Sequence, residues 1–273
     1  MSLEQMMWRV IEAKVRDPAE IIAIDEVLHQ QVATKKSPPT LIFNHWEPAL
    51  SIAKPQAIED VNQEACIQHG VRVVRATSGG RAVYHDTKYD FSYSVFFPTP
   101  AIDTTMLYEL FCGKIATALA SLGLPVTITN KNDFYIEGKK VSGNAQRISN
   151  GCVMQQGIIL YDRPVYNLAE RMVALMKKGL YDEADVRELE GQITWITQHS
   201  SNITLQKLHE TLAVGLTEGR YKVQSFTVDE QTEIERLKQQ YHDPSWFQGV
   251  GERGLCWLPK GAPLGAYRAE VVS

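Results

Sequence analysis

The sequence predicts an α+β domain, a mixed and mostly antiparallel sheet with helices packed on it. Three observations lead there. Short runs rich in β-branched and aromatic residues recur between Thr40 and Tyr161. Two long stretches of helical periodicity interrupt them, near 17–34 and 103–122. After Asp162 the strand-like runs stop and helical patterns follow.

Asp17-Pro18-Ala19-Glu20 starts the first helix with an N-cap carboxylate, proline at the first position and glutamate three residues after the cap. Ile21, Ile24, Leu28 and Val32 continue it to about Thr34. Thr40–Phe43 and Leu50–Ala53 read as strands joined through His45-Trp46-Glu47-Pro48. A short helix follows at 60–68 and ends at Gly70. Val71–Val74, the region of Val83, and Phe91–Phe97 read as strands. Asp103 caps the second long helix, which carries Leu107, Phe111, Ile115 and Leu122 on one face and stops at Gly123. Val126–Thr129, Phe134–Ile136 with its return past Val141, and Cys152–Tyr161 complete the strands. Helices are then marked by Leu168 to Met176, by Leu205, Leu208 and Leu212, and by Ile234, Leu237 and Tyr241. Trp246 to Ser273 reads as irregular.

No Ser- or Gly-rich linker and no repeat divides the 273 residues, so one domain with a core at about 8–246 is expected. Hydrophobic content of 44% and charged content of 22% are those of a globular enzyme. A net charge of -4 gives no case for a nucleic-acid partner. No apolar run approaches the ~18 residues of a membrane span, and the polar start Met1-Ser2-Leu3-Glu4-Gln5 is unlike a signal peptide. The four cysteines are widely spaced, with no CxxC pair and no metal-site spacing, which fits a reducing cytoplasm.

Two segments carry chemistry. Thr77 to Asp86 reads TSGGRAVYHD between two strand-like runs. Its glycines allow a tight hairpin, and equally allow an anion to touch backbone N–H groups. Arg75 and Arg81 flank it with charge suited to carboxylate or phosphate. In the second segment, Asn132-Asp133 precedes Gly138-Lys139-Lys140-Val141-Ser142-Gly143-Asn144-Ala145-Gln146. Glu137-Gly138 reads as a hairpin turn. Lys140, next to small residues, is either a solvated hairpin lysine or a cation that neutralises charge developing on an acyl group.

Together the two segments resemble the lipoate–protein ligase A family, within the superfamily of biotin and lipoate protein ligases and octanoyltransferases. Arg75 to Asp86 is similar to its RRxSGGGAVYHD motif, and Asn132 to Ala145 to its NDxxxxGKKxSGSA motif. Ala23-Ile24-Asp25-Glu26 resembles the family's ALDE helix, Leu50-Ser51-Ile52 with Gln56 its LSxGxxQ segment, and Gly157 to Leu160 its HGxLL strand. The resemblance implies the catalytic-domain fold of that superfamily. It implies Lys140 as the catalytic residue, holding acyl and phosphate oxygens of an acyl-adenylate. It implies Arg75, Ser78, Gly79, Gly80, Arg81 and Ala82 as the binding loop, with His85 touching nucleotide or merely steadying the turn. Asn132, Asp133, Gly143 and Ala145 complete the implied site, Asp133 as a magnesium ligand. An acyl tunnel is expected along Val73, Val83 and the Leu50–Ile52 strand.

The implied activity is ATP- and Mg-dependent attachment of lipoate or octanoate to a lysine of a lipoyl carrier domain, such as the glycine cleavage H protein or a 2-oxoacid dehydrogenase E2. The chain departs from the ligases at Ala76, at Arg81 in place of a third glycine, and at Gln156 in place of the histidine of the HG pair. The ligases' accessory C-terminal domain is not evident, so a separate protein supplying it is a further expected partner. The alternative is an ATP-independent octanoyl or lipoyl transferase. Thiol-dependent transferases of this superfamily place a cysteine before the second motif, where Pro125 to Asp133 has none. Cys152, the nearest thiol, reads as a buried cysteine. A biotin–protein ligase or a non-catalytic lipoate-binding module fits these motifs less well.

Overall fold

The computed structural model describes residues 6–242, except positions 55, 80, 100–102 and 181–182. The expectations for Gly80 and for Trp246 to Ser273 therefore lie outside the described residues. Eight strands form the larger sheet. In spatial order they are β11 (Tyr221–Val223), β1 (Trp8–Arg16), β2 (Thr40–Trp46), β6 (Asp90–Pro98), β10 (Cys152–Leu160), β9 (Lys139–Ser149), β8 (Asp133–Ile136) and β7 (Val126–Thr129). The pairs β11–β1 and β1–β2 are parallel, and every other pair is antiparallel. A smaller sheet has the order β4 (Arg72–Arg75), β3 (Ala49–Ile52), β5 (Val83–His85). The expected α+β class is thus what is found.

Both faces of the larger sheet are covered, so β6 is buried almost end to end. On one face α3 (Thr104–Ser121) and α7 (Leu205–Thr217) enclose Phe91, Tyr93, Val95, Phe97 and Val141. These helices cross so closely that a Cβ on Gly215 would lie 2.8 Å from that of Ala118. On the other face α1 (Pro18–Ala33) packs on Ile42, Phe96 and Met154, with α8 (Val228–His242) outside it. Asp17 caps α1 as expected, its carboxylate accepting from the Ala19 and Glu20 amides. A buried Arg9–Glu230 pair joined by two hydrogen bonds, 2.8 and 3.0 Å, ties β1 to α8. The short helices α2 (Gln63–Gln68) and α4 (Leu168–Leu175) close a third core beneath the small sheet. The helices α5 (Glu183–Gln192) and α6 (Ile196–His199) follow α4 in the chain.

Three expectations are corrected. His45 and Trp46 are not a connection but the end of β2, and the chain passes to the other sheet only at Glu47-Pro48. The strands β4 and β5 on either side of the glycine motif are not a hairpin pair, because they lie on opposite sides of β3. Leu50 and Ile52 do not line a tunnel. They are fully buried in the third core with Tyr84, Leu175 and Met176, and Val73 packs against the same cluster. By strand alternation Ser51 and Val83 take the opposite face, the side on which Ala49 and Val74 meet α1.

Candidate active site

The expected hairpin at Glu137-Gly138 is present, with φ of 51° and 77° at its two central residues, as a two-residue turn of this hand requires. The strand it launches carries a bulge. Phe134 pairs with Ser142 but Tyr135 with Lys140, so Val141 is an extra residue on β9. Strict alternation would put Lys140 on the same face as Ser142. The bulge instead sends Val141 into the core under α3 and turns Lys140 to the α1 side of the sheet. The Lys140 backbone is pinned from outside by a bridge to Ile193 and by the Thr194 amide at 2.9 Å.

Lys140 Nζ lies 2.8 Å from Asp133 Oδ1, with the lysine side chain about one-third exposed and the carboxylate almost buried. Gly143 makes room for this pair, since a Cβ there would sit 3.2 Å from both Cε and Nζ of Lys140. Asn132 and Asn144 exchange amide-to-carbonyl hydrogen bonds at 2.7 and 2.8 Å, which lock the start of β8 to β9. Asn132 is therefore a clamp on the site. Asp133, already paired with an ammonium, does not fit a magnesium site as placed. Among the described residues no group of three or more His, Cys, Asp or Glu could hold a metal ion.

The glycine loop approaches the same face from the small sheet. Ser78 is buried and its hydroxyl donates to Gln156 Oε1 at 2.9 Å, while its carbonyl accepts from the Lys54 amide at 3.1 Å. Gly79 is exposed at the tip, and Arg81 and Ala82 are partly buried. Gly79 does not use a left-handed φ, so its lack of a side chain serves access, not backbone strain. Gln156 pairs across the sheet with Ala145, and Ala145 lies two residues from Gly143 on one face. The lysine pocket and the loop anchor are thus roughly 7 Å apart along β9. Gly143, Ala145, Gln156 and Ile158 all remain partly open although they sit inside the sheet.

Two expected ligand residues have other partners. Arg75 is buried, and its Nη1 donates to the carbonyls of Ala53, Lys54 and Gln56 at 2.6 to 3.2 Å. It thereby holds Ala53, Lys54 and Gln56, of which Lys54 meets Ser78. His85 is buried too, stacked on Trp46 at 4.1 Å, with Nε2 2.9 Å from Ser51 Oγ and Nδ1 3.7 Å from Asp90. These contacts favour the turn-steadying role for it. The structure adds one residue to the site: Asp25 on α1 accepts from Gln156 Nε2 at 2.5 Å. Burial raises its carboxyl from 3.8 to about 7, against the hydrogen bonds from Ser94 and Gln156. Buried Cys66 is raised to about 11, and buried Cys112 and Cys152 to about 12, each chiefly by desolvation.

The loop anchored through Ser78 and the carboxylate-held Lys140 thus lie on one face of the larger sheet. The chain belongs to the lipoyl protein ligase A/B catalytic domain family, whose model matches residues 17–217. It is 28% identical over 274 residues to the octanoyltransferase LipM of Geobacillus kaustophilus, covering 88% of this chain and 97% of that protein. It is 27% identical over 186 residues to the lipoate-protein ligase LplJ of Bacillus subtilis, covering 67% of this chain and 54% of that protein. The fold matches that of a bi-partite lipoate protein ligase from Thermoplasma acidophilum with a TM-score of 0.78, at 20% identity over 92% of this chain and all of the other. The chain is an enzyme of the lipoate ligase and octanoyltransferase class. No helix among the described residues is long and apolar enough to cross a membrane.

Proposed function

We propose that this chain transfers an octanoyl or lipoyl group to the lysine amine of a lipoyl domain, with octanoyl bound as a thioester to a carrier protein as the principal donor. The observation that carries the reading is Lys140, turned by the β9 bulge to the open face and held by Asp133 beside Gly143. Octanoyl transfer is supported by the nearly full-length match to LipM, where the match to LplJ covers little more than half. In this reading the neutral acceptor amine attacks the acyl carbonyl, the C–S bond breaks, and the proton lost by nitrogen goes to the departing thiolate. Lys140 and the exposed Gly79 amide offset the negative charge that collects on the carbonyl oxygen. Ser78, Arg81, Ala82 and Ala145 shape the loop and floor around the acyl head, and Arg75 and Asn132 hold that geometry.

A second reading, ligation through an acyl-adenylate, rests on a specific observation. All three described thiols are buried, with pKa values about 11 or higher, so none is placed to carry a thioester. ATP, where used, would supply the adenylyl group that activates the free octanoate or lipoate, with pyrophosphate leaving, and Lys140 would lie against the carboxylate and phosphate oxygens. No step is assigned to magnesium, because Asp133 does not fit it. In either reading the domain acts from the described core, in the cytoplasm, with a lipoyl domain of an H protein or an E2 as acceptor.

Intact mass of a lipoyl domain tests the choice. The protein is incubated with that domain and octanoyl-acyl carrier protein, and separately with octanoate or lipoate with and without MgATP. Modification from the carrier alone supports the transferase. Modification only with MgATP replaces it with the ligase.

A further inference from the structure

We propose that Asp25 is a positioning residue for the glycine loop, acting through the side-chain amide of Gln156 on the hydroxyl of Ser78. The proposal rests on the reading of that loop as the cradle for the acyl head. The three side chains come from α1, β10 and the loop after β4, so the contact is wholly tertiary. The chain is continuous: Ser78 Oγ donates to Gln156 Oε1 at 2.9 Å, and Gln156 Nε2 donates to Asp25 Oδ2 at 2.5 Å and to Ser94 Oγ at 3.3 Å.

Each link has a direction set by chemistry. In the arrangement found, Asp25 Oδ2 is the acceptor, and a carboxyl oxygen accepts whether or not the group carries a proton, so Gln156 turns its NH2 toward Asp25. Its carbonyl oxygen then faces Ser78, and the Ser78 proton is committed to it. That leaves the lone pairs of Ser78 on the loop side and fixes the residue next to the exposed Gly79. Without an acceptor at position 25 the amide is free to reverse, the Ser78 hydroxyl turns with it, and the loop loses its anchor on the sheet. The second anchor, the Lys54 amide on the Ser78 carbonyl, does not specify the hydroxyl. Asp25 is 1% exposed and Ser78 6%, so water does not substitute for either partner. A carboxylate placed there for stability alone would be a poor choice, since its burial costs more than a well-packed apolar side chain.

The test is a double-mutant cycle on transfer to a lipoyl domain, run in parallel with octanoyl-acyl carrier protein and with octanoate plus MgATP. Asp25→Leu and Ser78→Ala should each lower kcat/KM about tenfold or more, mainly in KM for the donor. The double variant should lose no more than the worse single one. Asp25→Asn, whose carbonyl still accepts from Gln156, should recover most of the Asp25→Leu loss. Gln156→Met cuts the same chain without touching α1 and serves if Asp25→Leu does not fold; it too should be non-additive with Ser78→Ala. Additive losses, an unaffected Ser78→Ala, or an Asp25→Asn no better than Asp25→Leu would overturn the proposal. Lys140→Ala in the same assay separates the two levels. If it is silent, the site reading itself fails; if it abolishes transfer while the cycle is additive, only the role of Asp25 fails.

Discussion

Gly143 leaves open the space in which the Lys140 ammonium ends, 3.2 Å from where a Cβ would stand. Gly143→Ala should therefore act on chemistry more than on stability. The neighbour is the far end of a flexible chain, so the fold should lose under about 1 kcal/mol. Displacing the ammonium by a fraction of an ångström should lower transfer about tenfold to a hundredfold. Steady-state rates beside a melting curve check this. A wild-type rate in Gly143→Ala would show that the position of Lys140 is not critical.

Gly157→Ala should show the reverse balance. A Cβ there would overlap the Tyr93 hydroxyl and the Asn144 side chain, both buried and hydrogen-bonded to each other. Overpacking of this kind costs about 1–3 kcal/mol. Denaturant unfolding should show that loss, and an unchanged midpoint would contradict the packing described.

The thiols should be dispensable. Cys152→Ser should keep most of the activity, and wild-type protein given octanoyl-acyl carrier protein should carry no octanoyl adduct on Cys66, Cys112 or Cys152. Their high pKa values leave almost no thiolate at pH 7 to 8. A hydroxylamine-sensitive adduct on Cys152, lost together with activity in Cys152→Ser, would reverse the assignment.

Stability against pH has two opposing parts. Asp25, raised to about 7, stabilises the fold fully below its ordinary 3.8, and that contribution is lost as pH rises through 7. His209, lowered to about 4 by burial and by His45, stabilises above 6.5 and loses that contribution as pH falls through 4. Wild type should therefore vary little between pH 4 and 7 from this pair. Asp25→Asn removes the first part, so its stability should rise with pH across that window. Relative to wild type the swing should be on the order of 4 kcal/mol, at about 1.4 kcal/mol per unit. Parallel pH profiles of the two proteins would contradict it.

Local chemistry was legible in the sequence and tertiary consequences were not. The Asp17-Pro18 helix start and the Glu137-Gly138 turn depend on a few adjacent residues, and both stand as read. Strand β1 escaped because its register with β2 shifts between Ile11 and Lys14, which breaks the alternation, and β11 is only three residues long. Asp133, Lys140, Gly143 and Ala145 share one face of the larger sheet, yet the roles of Arg75 and His85 depend on distant partners. Those partners are the carbonyls of Ala53, Lys54 and Gln56, and Trp46 with Ser51. The bond between Asp25 and Gln156 spans 131 positions and has no local signature. Likewise nothing in KKVSG announces the bulge at Val141, which decides where Lys140 points.

The most direct test of the account is Lys140→Ala in single-turnover transfer to a lipoyl domain, read by intact mass, with a melting curve on the same sample. Removing the Lys140 side chain leaves the nearly buried Asp133 carboxylate without its partner, so stability should fall by about 1–3 kcal/mol with the fold retained. Loss of a preorganised cation at the reacting carbonyl should lower the rate a hundredfold or more. A folded Lys140→Ala protein that transfers at near wild-type rate would contradict the assignment of this site.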